Sequence, residues 1–171
     1  MNKIATFTTD TVEVKWAHLH APDDKFGADS ANHNITIVVD ENLQARLDEM
    51  VKSSSATKIN GLRTDEEGTT LLKVKSKAFV KKNVHTFPCR DAAAKRTDAV
   101  PFGGDQVKLR LSPTKLDRDD SLSIYLNGVQ IIQKEVRDTG GFEPTDGFDG
   151  ESFIPPTEDN TETPKADEIP F

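Results

Sequence analysis

The sequence predicts a small, mainly β protein: a closed barrel of five or six strands with one short helix, followed by an acidic tail that does not pack. Three observations predict it. Alternating apolar and polar runs bounded by turn residues recur through the first 137 of the 171 residues. Only one stretch carries a helical period. Beyond residue 137 both periods vanish, while acids, glycines and prolines accumulate. A barrel follows because closure removes the exposed edges that an open sheet of short strands would carry.

Each element has its own justification. Thr11 to His20 alternates, which places Val12, Val14, Trp16 and His18 on one face of a first strand. His33 to Val39 is a second apolar, β-branched run. Asp40 can cap a helix whose apolar positions Leu43, Leu47, Met50 and Val51 follow the i, i+4, i+7, i+8 pattern and which ends near Ser53 to Ser55. The turn residues Thr64 to Gly68 precede a third strand, Thr70 to Lys81. Val84 to Arg90 is a weaker strand, interrupted by Pro88. Gln106 to Leu111 and Ser121 to Gln133 complete the set, joined by a turn at Asp117 to Asp120, with Gly128 a candidate bulge.

Composition excludes several classes. Hydrophobic residues are 35% of the chain and aromatics 6%, and the longest apolar runs are far short of a membrane span. Met1 to Thr11 has one Lys and no apolar h-region, so no signal peptide is expected. The single cysteine, Cys89, forms no intramolecular disulfide framework and no Cys-rich zinc site. A cytoplasmic, soluble protein without a membrane partner is the expectation.

The formal net charge of −7 argues against a nucleic-acid partner only until it is resolved by segment. Residues 1–68 are net −5, 69–118 net +8, 119–137 net −1 and 138–171 net −9. The body, 1–137, is therefore net +2 with a basic middle, and the acidity belongs to the tail. That tail is expected to be disordered. It also holds four of the nine phenylalanines (Phe142, Phe148, Phe153 and Phe171) and ends in Asp167-Glu168-Ile169-Pro170-Phe171.

The third strand carries the sharpest signal. Leu72, Val74, Ser76, Ala78 and Val80 share one face, while Lys73, Lys75, Lys77, Phe79 and Lys81 share the other. Four ammonium groups and a ring thus line one surface at roughly 6.5–7 Å spacing. Single-stranded nucleic acid offers the complement: repeating phosphates, and flat bases that need a π-surface. Gln106 to Leu111 repeats the pattern, with Lys108 and Arg110 outward. The loop between adds Arg90, Lys95, Arg96 and Phe102. The ordinary reading of one Lys-rich strand is a solvated edge blunted against aggregation. Two such strands and a basic loop in a net +8 window point instead to a binding groove across Lys73 to Lys82, Arg90 to Lys95, Lys108 and Arg110. Trp16 admits two readings: its face gives it to the core, and its ring makes it a candidate for base stacking.

Enzyme readings are weak. His18 and His20 stand i, i+2 with no fixed third ligand, so no metal site is expected. Asp117, Asp119 and Asp120 read as a turn. Gly103-Gly104 lacks the helix and Lys of a phosphate loop, and Cys89 has no assignable base. Neither an enzyme nor a cofactor is expected.

The order of motifs resembles the replicative single-stranded DNA-binding proteins of T-odd, short-tailed phages. The matching features are Trp16-Ala-His-Leu-His-Ala-Pro-Asp23, the extended strand and short helix after it, and the Lys-alternating strand. They continue through Val100-Pro101-Phe102-Gly103-Gly104, Val107 to Leu111, Ser112-Pro113 and the Ser121 to Ile132 strand before the acidic tail. The resemblance covers nearly the whole chain. It implies a five-stranded Greek-key OB-fold body (1–137), a homodimer, DNA binding without sequence preference, and roles in phage DNA replication, recombination and repair in the host cytoplasm. The Asp167 to Phe171 tip is similar to that of bacterial single-stranded DNA-binding proteins, which implies recruitment of replication proteins such as DNA polymerase and helicase/primase. Thr114 departs from the pattern, which expects an aromatic there and shifts stacking to Trp16, Phe79 or Phe87. The competing class is a small-barrel interaction module that recruits replication enzymes without binding DNA.

Overall fold

In the computed structural model, residues 2–76 and 86–136 are described. Five long strands build the body: Val12–Asp23 (β1), Asn32–Val38 (β2), Thr70–Ser76 (β3), Gln106–Leu116 (β4) and Ser121–Gln133 (β5). β1, β2 and β3 pair antiparallel in sequence. β3 then meets β5 in parallel through Lys75 and Tyr125, β5 pairs antiparallel with β4, and β4 returns to β1 through Gln106–Glu13 and Val107–Val12. The ring closes as β1-β2-β3-β5-β4, the five-stranded barrel expected from the sequence and the OB-fold order. Short strands at Asn2–Lys3, Phe7–Thr8, Lys58–Ile59, Leu62–Thr64, Cys89–Arg90 and Arg96–Thr97 extend its edges.

Alternation fills the barrel. Val14, Ile35, Ile37, Leu72, Val74, Val107, Leu109, Leu111 and Leu122 are fully buried and form one cluster. Each such side chain withdrawn from water contributes about 1.5–3 kcal/mol. The one α-helix among the described residues, Glu41–Ser54 (α1), adds Leu43, Leu47 and Met50 to the same cluster. It begins where expected, the Asp40 side chain accepting the Leu43 amide at 2.8 Å, and ends at Ser55 in left-handed backbone.

The turns are built from the residues that announced them. Asp65 Oδ1 accepts the amides of Glu67 and Thr69, and Gly68 takes φ +84°. At Gly61, φ is +86° and an added Cβ would lie 2.3 Å from the Lys73 carbonyl oxygen, so only glycine lets this turn lie against β3.

Two expectations change. The first strand does not alternate straight through. Val14 pairs with Ile37 but Trp16 pairs with Thr36, so Lys15 is an extra residue, a β-bulge that turns the following side chains over. Trp16 leaves the face of Val12 and Val14 and is 49% exposed, while Leu19 takes the buried side. The core reading of Trp16 is therefore overturned. The weak strand expected over Val84 to Arg90 is reduced, among the described residues, to Cys89–Arg90. β5 bulges as foreseen: Arg110 faces Gly128 and Leu111 faces Leu126, which leaves Asn127 unpaired.

Candidate nucleic-acid interface

The barrel's outer face carries rungs of side chains fixed by strand register. One rung runs Trp16–Thr36–Lys73 across β1, β2 and β3; the next runs His18–Asn34–Lys75–Tyr125 and reaches β5. Asp23 and Asn32 form a third. In the middle of each rung β2 supplies a short polar residue, flanked by longer side chains. Asn34 and Thr36 are consequently 2% and 3% exposed although they lie outside the barrel. The result is a trough. A depression of ≈ 480 Å³ between Asp23, Phe26, Lys73 and Tyr125 adjoins one of ≈ 650 Å³ that ends at Arg118. The two share Asn60, Lys75, Ser123 and Tyr125.

Its chemistry is cationic with aromatic rims. The Trp16 ring has the Arg63 guanidinium 5.5 Å and the Lys15 ammonium 5.9 Å from its centroid. Phe26, 84% exposed, stands at the other end beside Lys25. Lys75 is exposed and has no carboxylate partner among the described residues. Lys73 lies 3.9 Å from Asp23. The amide of Lys25 holds the Asp23 carboxyl below the usual range; burial opposes this, and Asn34, His18 and Lys73 add to the lowering. The floor is fastened by Asn60, whose Nδ2 donates to Ser121 Oγ and Ser123 Oγ at 2.8 and 2.9 Å.

A second basic surface lies further along β5. Ladder pairs place Arg96, Arg90, Gln130 and Lys108 in one rung, with Arg110 opposite Gly128 in the next. Arg90 donates to the Ala94 carbonyl at 2.8 Å and Gln130 to that of Ala92 at 3.0 Å, which shapes the turn that carries Lys95. Arg90, Arg96, Lys108 and Arg110 have no acidic partner among the described residues. Among the described residues, the cations expected in one groove are thus distributed over two surfaces, joined along β5 by Tyr125, Asn127 and Gln130.

The loop before β4 is rigidly anchored. Asp105, fully buried, accepts the amides of Phe102 and Glu135 and lies 3.4 Å from the Lys134 ammonium. Burial raises its pKa most, but these bonds outweigh it and hold the carboxyl below the usual range. Gly104 N donates to the Val14 carbonyl, and an added Cβ at Gly103 would stand 2.7 Å from the Lys15 carbonyl oxygen. The Gly103-Gly104 pair therefore seats the loop on the very bulge that exposes Trp16.

Other expected residues fall elsewhere. Lys77, Phe79, Lys81 and Lys82, and the tip Asp167, Glu168, Ile169, Pro170 and Phe171, lie outside the described residues. Phe87 is 1% exposed and edge-on to His33, which removes it as a stacking platform. Thr114 is 4% exposed. Burial pushes the Cys89 thiol up to about 11, so it stays protonated and unreactive at neutral pH. Among the described residues no group of three or more metal-ligating side chains converges, and no helix is long and apolar enough to cross a membrane. Tyr125, Phe26, Arg63 and Asn60 were not singled out from the sequence. Tyr125 had a signal, since Ser123 and Tyr125 alternate outward between Leu122, Ile124 and Leu126; Arg63, in a short turn strand, had none.

No protein-family model matches the sequence, and no curated protein matches it. Among solved structures the chain is similar to gp2.5, a single-stranded DNA binding protein encoded by bacteriophage T7. The TM-score is 0.57 at 19% identity, over 82% of this chain and 98% of that one. It is also similar to the single-stranded DNA-binding protein from bacteriophage Enc34 in complex with ssDNA (TM-score 0.59, 10% identity, 77% of this chain and 88% of that one). A further structure of the Enc34 protein gives 0.52 at 10% identity, over 81% and 87%. The likeness is one of fold, and these neighbours are phage single-stranded DNA-binding proteins, the group the order of motifs resembles.

Proposed function

We propose that this chain binds single-stranded DNA with little regard to sequence, in the trough across β1, β2, β3 and β5. The observation that carries the reading is the pair of rungs Trp16–Thr36–Lys73 and His18–Asn34–Lys75–Tyr125, which alternate cation and ring across one face. Lys73 and Lys75 pair with phosphates and release counterions. Trp16 and Tyr125 stack bases, a contact worth about 1–3 kcal/mol that any base can make. A duplex hides its base faces and gains only the phosphate contacts.

Arg90, Lys95, Lys108 and Arg110 extend the path along β5, and Lys77, Phe79, Lys81 and Lys82 belong to the same proposed surface by sequence. Residues 138–171, net −9, compete for the trough, and Asp167 to Phe171 recruits replication proteins such as DNA polymerase and helicase/primase. Homodimerisation and service in phage replication, recombination and repair complete the proposal. The fold likeness and the motif order support it.

A gel-shift titration with single- and double-stranded oligonucleotides at two salt concentrations tests the central claim. Preferential, salt-sensitive retention of single strands is expected. Equal affinity for both forms, or none for either, refutes it and favours the interaction-module reading.

A further inference from the structure

Asp23 is anomalous on a surface for a polyanion. Its carboxylate stands on the trough wall among Phe26, Asn32, Lys73 and Tyr125, with its side chain 26% exposed. Oδ1 accepts the Lys25 amide at 3.3 Å and Oδ2 accepts Asn34 Nδ2 at 3.2 Å. An ionised carboxylate has about four acceptor positions, so capacity remains on the groove side. The position is held from two elements, by the turn after β1 and by β2, so the acceptor is preorganised.

A phosphate in direct contact with this anion is disfavoured, because like charges repel unless a cation stands between them, as the Lys73 ammonium does 3.9 Å from Asp23. A base edge is not. Lys73 and Lys75 on β3, across β2 from Asp23, hold the phosphates, which leaves a base stacked on Tyr125 or Phe26 with its edge toward Asp23. We propose that Asp23 makes the trough base-selective, favouring bases that carry an exocyclic amino group (cytosine, adenine, guanine) over thymine. Cytosine N4 is a donor that carboxylates accept. Thymine offers only N3–H, and its flanking O2 and O4 carbonyls present partial negative charge to the same carboxylate. The inference rests on the single-strand reading of the trough and refines it from sequence-tolerant to thymine-averse.

The test uses the full chain and fluorescence anisotropy with labelled oligo(dC) and oligo(dT) of about 12 nucleotides, at pH 8, where cytosine is unprotonated. The wild-type chain is expected to bind oligo(dC) about fivefold more tightly than oligo(dT). In Asp23→Asn, affinity for both rises because a negative charge is gone, and the ratio falls to about one. Lys73→Gln weakens both and keeps the ratio, which separates selectivity from charge. Should Asp23→Asn fail to fold, an oligonucleotide of N4,N4-dimethylcytosine, which lacks the donor, is expected to lose the preference on the wild-type chain. Equal wild-type affinity for oligo(dC) and oligo(dT), an unchanged ratio in Asp23→Asn, or full retention by the dimethylated strand overturns the inference and leaves single-strand binding standing. Failure of every strand to bind overturns the functional reading itself.

Discussion

Trp16 gives the most exacting test, because it is the chain's one tryptophan and stands half out of the fold. A tryptophan side chain presents up to about 250 Å². At 49% exposure, about 125 Å² is packed and a similar area is free. At ~25 cal/mol per Å² the packed half is worth at most ~3 kcal/mol, and about 2 kcal/mol once the compactness of the unfolded chain is allowed for. The free half is the area a base would cover. Trp16→Ala is therefore expected to lower stability by about 2 kcal/mol, which leaves a folded barrel. It is separately expected to weaken oligonucleotide binding by the stacking contribution, about 1–3 kcal/mol or roughly 5- to 150-fold in Kd. Trp16→Phe should recover part of the affinity. The assay is a fluorescence titration of the wild-type chain, since any change in tryptophan emission comes from this ring. Tight binding with unchanged emission, together with wild-type affinity in Trp16→Ala, would refute the placement of the strand in the trough.

Three further outcomes are expected. Replacing Lys73 and Lys75 by glutamine should flatten the dependence of log K on log salt by about 1.4, from ~0.7 per phosphate contact; a filter-binding salt series reads it, and a parallel line would mean these lysines touch no phosphate. Gly61→Ala should cost more than about 2 kcal/mol in thermal or urea unfolding, because alanine at φ +86° is strained and its Cβ would meet the Lys73 carbonyl oxygen at 2.3 Å; an unchanged midpoint would show that the turn can move off β3. Asp105 ties stability to acid: its folded pKa lies below the unfolded 3.8, so its contribution is complete above that value and is lost as pH falls through the folded pKa. Asp105→Asn should therefore lower stability at pH 7 and flatten the stability profile below pH 4, and a wild-type profile with no acid fall would contradict the anchoring role.

How much of this was legible depends on the range over which each feature is determined. The helix was readable because its signals are local: Asp40 caps it, and Leu43, Leu47 and Met50 repeat on one face. The outward Lys73 and Lys75 were equally readable from alternation. Trp16 was misplaced for a specific reason. The bulge at Lys15 is supported by Gly103 and Gly104, nearly ninety residues away, which seat their loop on the Val14 and Lys15 carbonyls. No alternation within β1 reports that contact. The trough itself depends on one parallel pairing, Lys75 with Tyr125, between strands separated by fifty residues. Tyr125 was visible as an outward position but had no neighbour until the barrel closed. The single basic groove expected from composition divided in two for the same reason. The segment 69–118 is basic as sequence, yet among the described residues Lys73 and Lys75 sit on β3, Lys108 and Arg110 on β4, and Arg90 and Arg96 on a hairpin, which meet different stretches of β5.

The net charge of −7 poses a question that salt can answer. At physiological ionic strength charges are screened over about 8 Å, close to the 6.5–7 Å that separates Lys73 from Lys75 along a strand. A phosphate in the trough then feels chiefly the charges that line it, Lys73, Lys75 and Asp23 with Asp117 and Arg118 at one end, and the acids of residues 138–171 do not weaken it merely by belonging to the same chain. They can act in two ways. As a diffuse negative field they slow and weaken association only where screening is poor. As a competitor that occupies the trough they act through the rings of Phe142, Phe148, Phe153 and Phe171 as well as through carboxylates, so part of the opposition outlasts screening. Removing 138–171 separates the two. A gain in affinity at about 10 mM salt that vanishes by about 150 mM, where the screening length shortens from about 30 to 8 Å, means a field. A gain that persists at 150 mM, and is reversed by adding the 138–171 peptide in trans, means occupancy, which is the outcome the proposed competition requires.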